Sequence, residues 1–238
     1  MMQIASPADR VIVALDYGEA QPALRMARQL TGLVRTVKVG SILFTACGPA
    51  IIQRLRALGL RIMLDLKFFD IPSTVEQSCL VAARHGVSLL TVHASGPREM
   101  LEAAAAGAKA AGRPKPAVVG VTVLTSIGSA SAAGMTRRVV ALAQRAQAAG
   151  LDGVVASARE AAAIRRSLGS RALIVCPGIR TDADARDDQQ RVSGPRNAIE
   201  QGADLLVIGR PVTGAQDPRA AVRGILGQLA DNETGRGR

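Results

Sequence analysis

Four charged residues in this chain have types and spacing that could do chemistry. Lys38 lies within the apolar run "RTVKVG", while Asp65, Lys67 and Asp70 follow one another in "RIMLDLKFFDIPSTV". Charges at the end of an apolar run are costly, because desolvating one without a partner takes several kcal/mol. Side chains alternate along a strand, so Asp65 and Lys67 are expected on one face. Lys38 can point into the same mouth, and Asp70 lies in the loop just beyond. The expected result is an array of alternating sign, Lys38–Asp65–Lys67–Asp70. At about 4 Å and an effective dielectric near 20, each contact is worth roughly 4 kcal/mol, enough to keep all four ionised. An ion-pair cluster that merely closes the fold is one reading. A preorganised electrostatic site with a cationic acid at its centre is the other, and the favoured one.

Such a site needs strands to carry it. Short apolar runs recur at "RVIVAL", "RTVKVG", "RIMLDL", "SLLTVH", "AVVGVTV", "DGVVA", "ALIVC" and "DLLVIG". Runs of this kind suit parallel strands covered on both faces. Alanine-rich helical stretches lie between them, and several end in a glycine suited to C-terminal capping, at Gly59, Gly86, Gly112, Gly150 and Gly202. The pattern predicts an α/β fold, a single (β/α)8 barrel over residues 1–238, with 231–238 a disordered tail. No "GxGxxG" follows the first strand, which argues against an open doubly wound sheet. Active sites of such barrels lie at the C-terminal strand ends. The candidates there are Asp16, Lys38, Asp65, Lys67, Asp70, His93, Thr125, Ser126, Arg180, Gly209 and Arg210.

Part of that list is suited to an anion. Gly209 and Arg210 end the eighth strand, a common place for a phosphate held by backbone N–H groups, and the arginine adds a charged fork. The seventh strand leads into "CPGIRTDADARDDQQRV", a long polar loop with Arg180 and Gln189 that is expected to act as a lid. Thr125 and Ser126 offer hydroxyls that suit the polar edge of a heterocycle or sugar, although such residues also cap strand ends. His93 is expected to be a packed histidine rather than a base. No metal shell and no Ser/His/Asp arrangement is apparent.

Composition narrows the class. The chain has 238 residues and a net charge of +11, but 2% aromatic residues and no tryptophan, so it offers almost nothing on which bases could stack. Nucleic acid is therefore not expected as a partner. No apolar stretch reaches the ~18 residues of a membrane span, and the first ten residues do not read as a signal peptide. Cys47, Cys79 and Cys176 match no metal spacing and are expected as buried free thiols in a reducing cytoplasm.

The motifs "ALD", "VKVG", "LDLKFFDIPSTV", "VHASG", "VTVLTS", "PGIR", "DDQQRV" and "VIGRPVT" occur in this order over about residues 10–230. The chain thereby resembles the orotidine 5′-phosphate decarboxylases. That resemblance implies conversion of orotidine 5′-phosphate to UMP and CO2 in de novo pyrimidine synthesis, with no cofactor and no metal. It implies Lys67 as proton donor to C6, Asp65 beside the substrate carboxylate, and Lys38 tying the array to the ribose. Asp16 would bind a ribose hydroxyl, and Ser126, with Thr125 beside it, would read the pyrimidine edge. Gln189, Gly209 and Arg210 would hold the phosphate, flanked by Arg180. Asp70, Ile71 and Thr74 would reach into the partner's site of a homodimer. The segment after Ser126 looks shorter than is usual in the family, and Cys176 stands where relatives often have threonine. The D-x-K-x-x-D element is shared with magnesium-dependent sugar-phosphate decarboxylases and synthases, which remain the nearest rivals.

Overall fold

Eight apolar runs become strands where the sequence pattern puts them. The computed structural model describes residues 4–112, 114–124, 131–180 and 193–235, with side chains as far as residue 230. The strands are β1 (Val11–Ala14), β2 (Thr36–Gly40), β3 (Arg61–Phe68), β4 (Leu89–His93), β5 (Ala117–Val121), β6 (Gly153–Val155), β7 (Leu173–Cys176) and β8 (Leu205–Ile208). Each pairs in parallel with its successor and β8 closes on β1, so the sheet is a closed barrel without edges. Helices follow the strands: α1 (Pro7–Arg10), α2 (Ala20–Leu30), α3 (Ser41–Cys47), α4 (Ala50–Arg56), α5 (Pro72–Arg84), α6 (Arg98–Ala110), α7 (Ala132–Ala148), α8 (Ala158–Leu168), α9 (Pro195–Glu200), α10 (Arg210–Thr213) and α11 (Pro218–Gly235).

Strand alternation sorts the apolar residues into two cores. Val13, Val37, Val39, Ile62, Leu90, Val118, Ile174 and Leu206 pack outward against the helices. Ile12, Ala14, Met63, Leu89, Val119, Val121, Val155, Val175, Leu205 and Val207 fill the barrel interior. Thr36, Lys38 and Thr91 share that inward alternation and are buried. The interior therefore turns from apolar to polar as it rises along β3 and β4, from Met63 to Asp65 and from Leu89 to Thr91.

Three helical details differ from a plain eight-and-eight count. The β2–β3 crossover is broken into α3 and α4, because Gly48 takes a positive φ of 60° and Pro49 follows. A single turn, α10, precedes α11 after the last strand. Helix α11 also continues to Gly235, into the stretch expected as a tail, since no proline interrupts it after Pro218. Gly59, Gly86, Gly112, Gly150 and Gly202 all take the positive φ expected of them. Gly107 in α6 lies against the carbonyl of Glu76 in α5, where a β-carbon would have no room, and this close approach seats α5. Cys79 and Cys176 are buried, and burial pushes both thiols up to about 12; Cys47 is half-buried.

At the N-terminal end of the barrel, two carboxylates repeat one device. Asp204, just before β8, accepts the N–H of Ile174 in β7 at 2.7 Å and the Arg165 guanidinium at 2.6 Å. Its own N–H donates to the Ile174 carbonyl at 2.9 Å. Asp152, just before β6, does the same with Val118 of β5 at 2.9 Å and pairs with Lys115 at 2.8 Å. Each acid thus satisfies a strand-start donor that would otherwise lack an acceptor. Asp204→Ala leaves the Ile174 N–H orphaned and should lower the unfolding free energy by about 1–3 kcal/mol in a denaturant titration. Unchanged stability would show that this clip contributes nothing.

Candidate active site

One carboxylate organises the mouth of the barrel. Asp65 rises from β3 with its side chain 12% exposed, and each of its oxygens faces an ammonium. Oδ1 accepts from Lys67 Nζ at 2.9 Å, and Oδ2 lies 3.5 Å from Lys38 Nζ. Lys38, at 11% exposure, also donates to Asp16 Oδ1 at 2.9 Å. Burial acts to raise the Asp65 pKa. The charges of Lys38 and Lys67, with hydrogen bonds from Lys67 and Thr91, outweigh it and hold the carboxyl below its ordinary range.

The array within one chain is therefore Asp16–Lys38–Asp65–Lys67, and this corrects the expected order. Asp70 does not join it. Asp70 is exposed ahead of α5, and its carboxylate accepts the N–H of Ile71 at 2.7 Å. The cause is local backbone. β3 pairs regularly with β4 at Met63 and Leu64, opposite Leu89 and Leu90, but the next pair is Phe68 with Val92. Four steps on β3 thus oppose two on β4, so the strand bulges outward. Within the bulge Lys67 takes a φ of +52°, the one left-handed non-glycine among the described residues. Asp65 and Lys67 meet through this bulge rather than by simple alternation, and the chain beyond it carries Asp70 away to the head of α5.

Small residues leave room for the charges. A β-carbon on Gly40 would stand 2.8 Å from Lys38 Nζ and 3.1 Å from Asp16 Oδ1, inside the space their pair occupies. Above the array opens a cavity of about 560 Å³. One wall is apolar, with Met63, Val121, Val155 and Val207 continuing the barrel interior. Arg180, Gly209 and Arg210 line the same cavity, so the anion-directed residues face the same space as Lys67. Gly209 is the N-cap of α10, and Arg210 opens that turn. His93 packs edge-to-face on Phe69 with ring centroids 6.0 Å apart. Burial, then the nearby Lys67 charge, hold its pKa below the ordinary value, so the imidazole is neutral at pH 7.

Thr125, Ser126 and Gln189 lie outside the described residues, as does 181–192, most of the expected lid. Ile71 and Thr74 are described and exposed beside Asp70. Two features were missed from the sequence. The left-handed lysine has no local signal, since "LKFFD" contains no glycine. Thr91 could have been found, because it lies two residues before His93 and so shares its inward face. No group of three metal-ligating side chains occurs among the described residues.

The chain is similar to known proteins over nearly all of its length. Residues 9–225 match the model of the Orotidine 5′-phosphate decarboxylase / HUMPS family. The chain belongs to that family. An orotidine 5′-phosphate decarboxylase of Synechococcus sp. (strain WH7803) is 47% identical, over 96% of this chain and 98% of its own. That of Nitrosococcus oceani is 46% identical, over 93% and 98%. The crystal structure of orotidine 5′-phosphate decarboxylase from Lactobacillus acidophilus superposes with a TM-score of 0.81 at 34% identity, over 93% of this chain and 99% of that one.

The matched residues 9–225 include Asp16, Lys38, Asp65, Lys67, Gly209 and Arg210, so the charged array and the turn at Gly209 and Arg210 lie within one matched stretch. Gly40 offers a direct test of how tightly the array is built. Its φ of −93° suits alanine, so Gly40→Ala probes space alone. The substitution should change the unfolding free energy by less than about 1 kcal/mol. A crystal structure should nonetheless find Lys38 and Asp16 parted, and an undisturbed 2.9 Å pair would refute the crowding.

Proposed function

We propose that this chain decarboxylates orotidine 5′-phosphate to UMP and CO2, the last step of pyrimidine synthesis, without metal or cofactor. The observation that carries this is Asp65 held between two ammonium groups beneath a cavity with an anion-directed rim. The near full-length likeness to curated orotidine 5′-phosphate decarboxylases supports it. The bond from C6 to the carboxylate breaks, CO2 leaves, and the electron pair stays on C6. Lys67 then gives a proton from its ammonium to C6, forming the C–H bond of UMP, and regains a proton from solvent. Asp65 lies beside the departing carboxylate. At the distances and dielectric of this mouth, its repulsion is worth only a few kcal/mol. Enzymes of this kind must supply roughly 8–23 kcal/mol, so stabilisation of the developing carbanion by the Lys67 charge has the larger part.

In this reading Asp16 and Lys38 hold the ribose, Thr125 and Ser126 read the pyrimidine edge, and Gln189, Gly209 and Arg210 bind the phosphate beside Arg180. Binding of that remote phosphate becomes rate if it fixes the ring against Lys67. The working form is a cytoplasmic homodimer in which Asp70, Ile71 and Thr74 reach the partner's site. Their exposure at the head of α5, next to an exposed Phe69, supports that role. No helix among the described residues is long and apolar enough to cross a membrane.

Ultraviolet absorbance on mixing the protein with orotidine 5′-phosphate in EDTA tests the activity. Turnover is expected, whereas loss of activity in EDTA would favour a magnesium-dependent sugar-phosphate reaction. Lys67→Ala should abolish nearly all turnover while still binding UMP, and substantial residual activity would sink the proton-donor role. Mixing Asp70→Ala chains with Lys67→Ala chains should restore part of the activity. A verified heterodimer without recovery would refute shared sites.

A further inference from the structure

We infer that Thr91 is a positioning residue for the reaction, holding Lys67 and Asp65 in register through a single hydroxyl. The inference rests on the proposed decarboxylation and names a residue beneath the site that touches no substrate. Thr91 is fully buried on β4, inside the barrel, and does not line the cavity. Its Oγ1 donates to Asp65 Oδ1 at 3.0 Å and accepts the backbone N–H of Lys67 at 2.9 Å.

The bulge makes this hydroxyl necessary. Between Leu64 and Phe68, β3 loses its regular pairing with β4, so the Lys67 N–H has no ladder carbonyl opposite it. Thr91 supplies the missing acceptor. Lys67 also stands in the left-handed region, a conformation that persists in a non-glycine residue only where its surroundings over-determine it. The same oxygen atom of Asp65 that Thr91 donates to accepts from Lys67 Nζ. One hydroxyl thus fixes the backbone of the proton donor and the carboxylate that orients its ammonium. A hydroxyl has one proton to give and lone pairs to receive with, and here both are used. Valine has the same shape and can do neither.

The test compares Thr91→Val with Thr91→Ser. The valine variant should lose roughly 100-fold in kcat, the scale of an ångström-size misplacement. KM for orotidine 5′-phosphate and Kd for UMP should stay within about threefold, because Thr91 bonds to Lys67 and Asp65 and does not line the cavity. The serine variant, which keeps the hydroxyl, should recover most of kcat. Wild-type kcat in Thr91→Val would overturn the inference. So would an equal loss in both variants, or a lower kcat together with a raised KM and a lower thermal midpoint, which would mark a packing role. Should the valine variant fail to fold, Thr91→Ala carries the same comparison against serine. A crystal structure of the variant separates this inference from the proposed activity. Lys67 leaving its left-handed conformation and parting from Asp65 supports positioning even if wild-type protein turns over no orotidine 5′-phosphate. An unmoved Lys67–Asp65 pair refutes it.

Discussion

Everything at the mouth of this barrel depends on Asp65 remaining ionised while almost out of water. A buried carboxylate with one partner would still carry a large desolvation cost, and without any it would take up a proton. Here both oxygens face ammonium groups, and a buried hydroxyl donates to one of them. Each partner is then fixed by a different part of the fold. Lys38 comes from the register of β2 on β3, which sets Gly40 against Asp65. Lys67 comes from the bulge, and Asp16 from the loop after β1, close to the Gly40 that leaves it space. The array is thus a consequence of the pairing of β1, β2 and β3, since no two of its members share an uninterrupted regular strand.

Carboxylates do different work at the two ends. Asp152 and Asp204 meet backbone N–H groups and a basic side chain at the N-terminal end, where they complete the first rung of a strand. Asp65 meets ammonium groups and a hydroxyl, and its own strand has stopped being regular. The first arrangement satisfies the backbone and stiffens the barrel. The second leaves charge facing a cavity and spends backbone regularity to place a lysine. Barrels of this kind commonly separate stability from chemistry between their two faces, and here that separation falls between carboxylates of the same type.

Much of this was legible in the sequence, for physical reasons that also explain the gaps. Near-continuous apolar runs can only be strands buried on both faces, so all eight were placed within a few residues. Gly59 or Gly150 marks a helix end because the chain must turn left-handed there, and the sequence records that need as a missing side chain. Lys67 turns left-handed without such a mark. The reason lies on a neighbouring strand, in a threonine 24 residues away that accepts its N–H. Asp70 was drawn into the array because alternation was extended past the point where β3 bulges. Gly48 and Pro49 carried a clear signal for the broken crossover, which a count of one helix per strand concealed. Local chemistry was readable throughout; what escaped was geometry set by a partner distant in sequence.

The same electrostatics bears on how a proton can leave Lys67 in the proposed reaction and return. While Lys67 is an ammonium, Asp65 has a cation on each oxygen and the group is balanced. Once the proton has passed to carbon, Lys67 is neutral, and Asp65 keeps only Lys38 and the Thr91 hydroxyl as compensation. At an effective dielectric near 20 the lost contact amounts to roughly 4 kcal/mol. Asp65 would therefore be left with less compensation until solvent returns the proton to Lys67. Such an arrangement suits the proposed reaction, whose carbanion at C6 would be a far stronger base than an amine and would take the proton despite the lost contact.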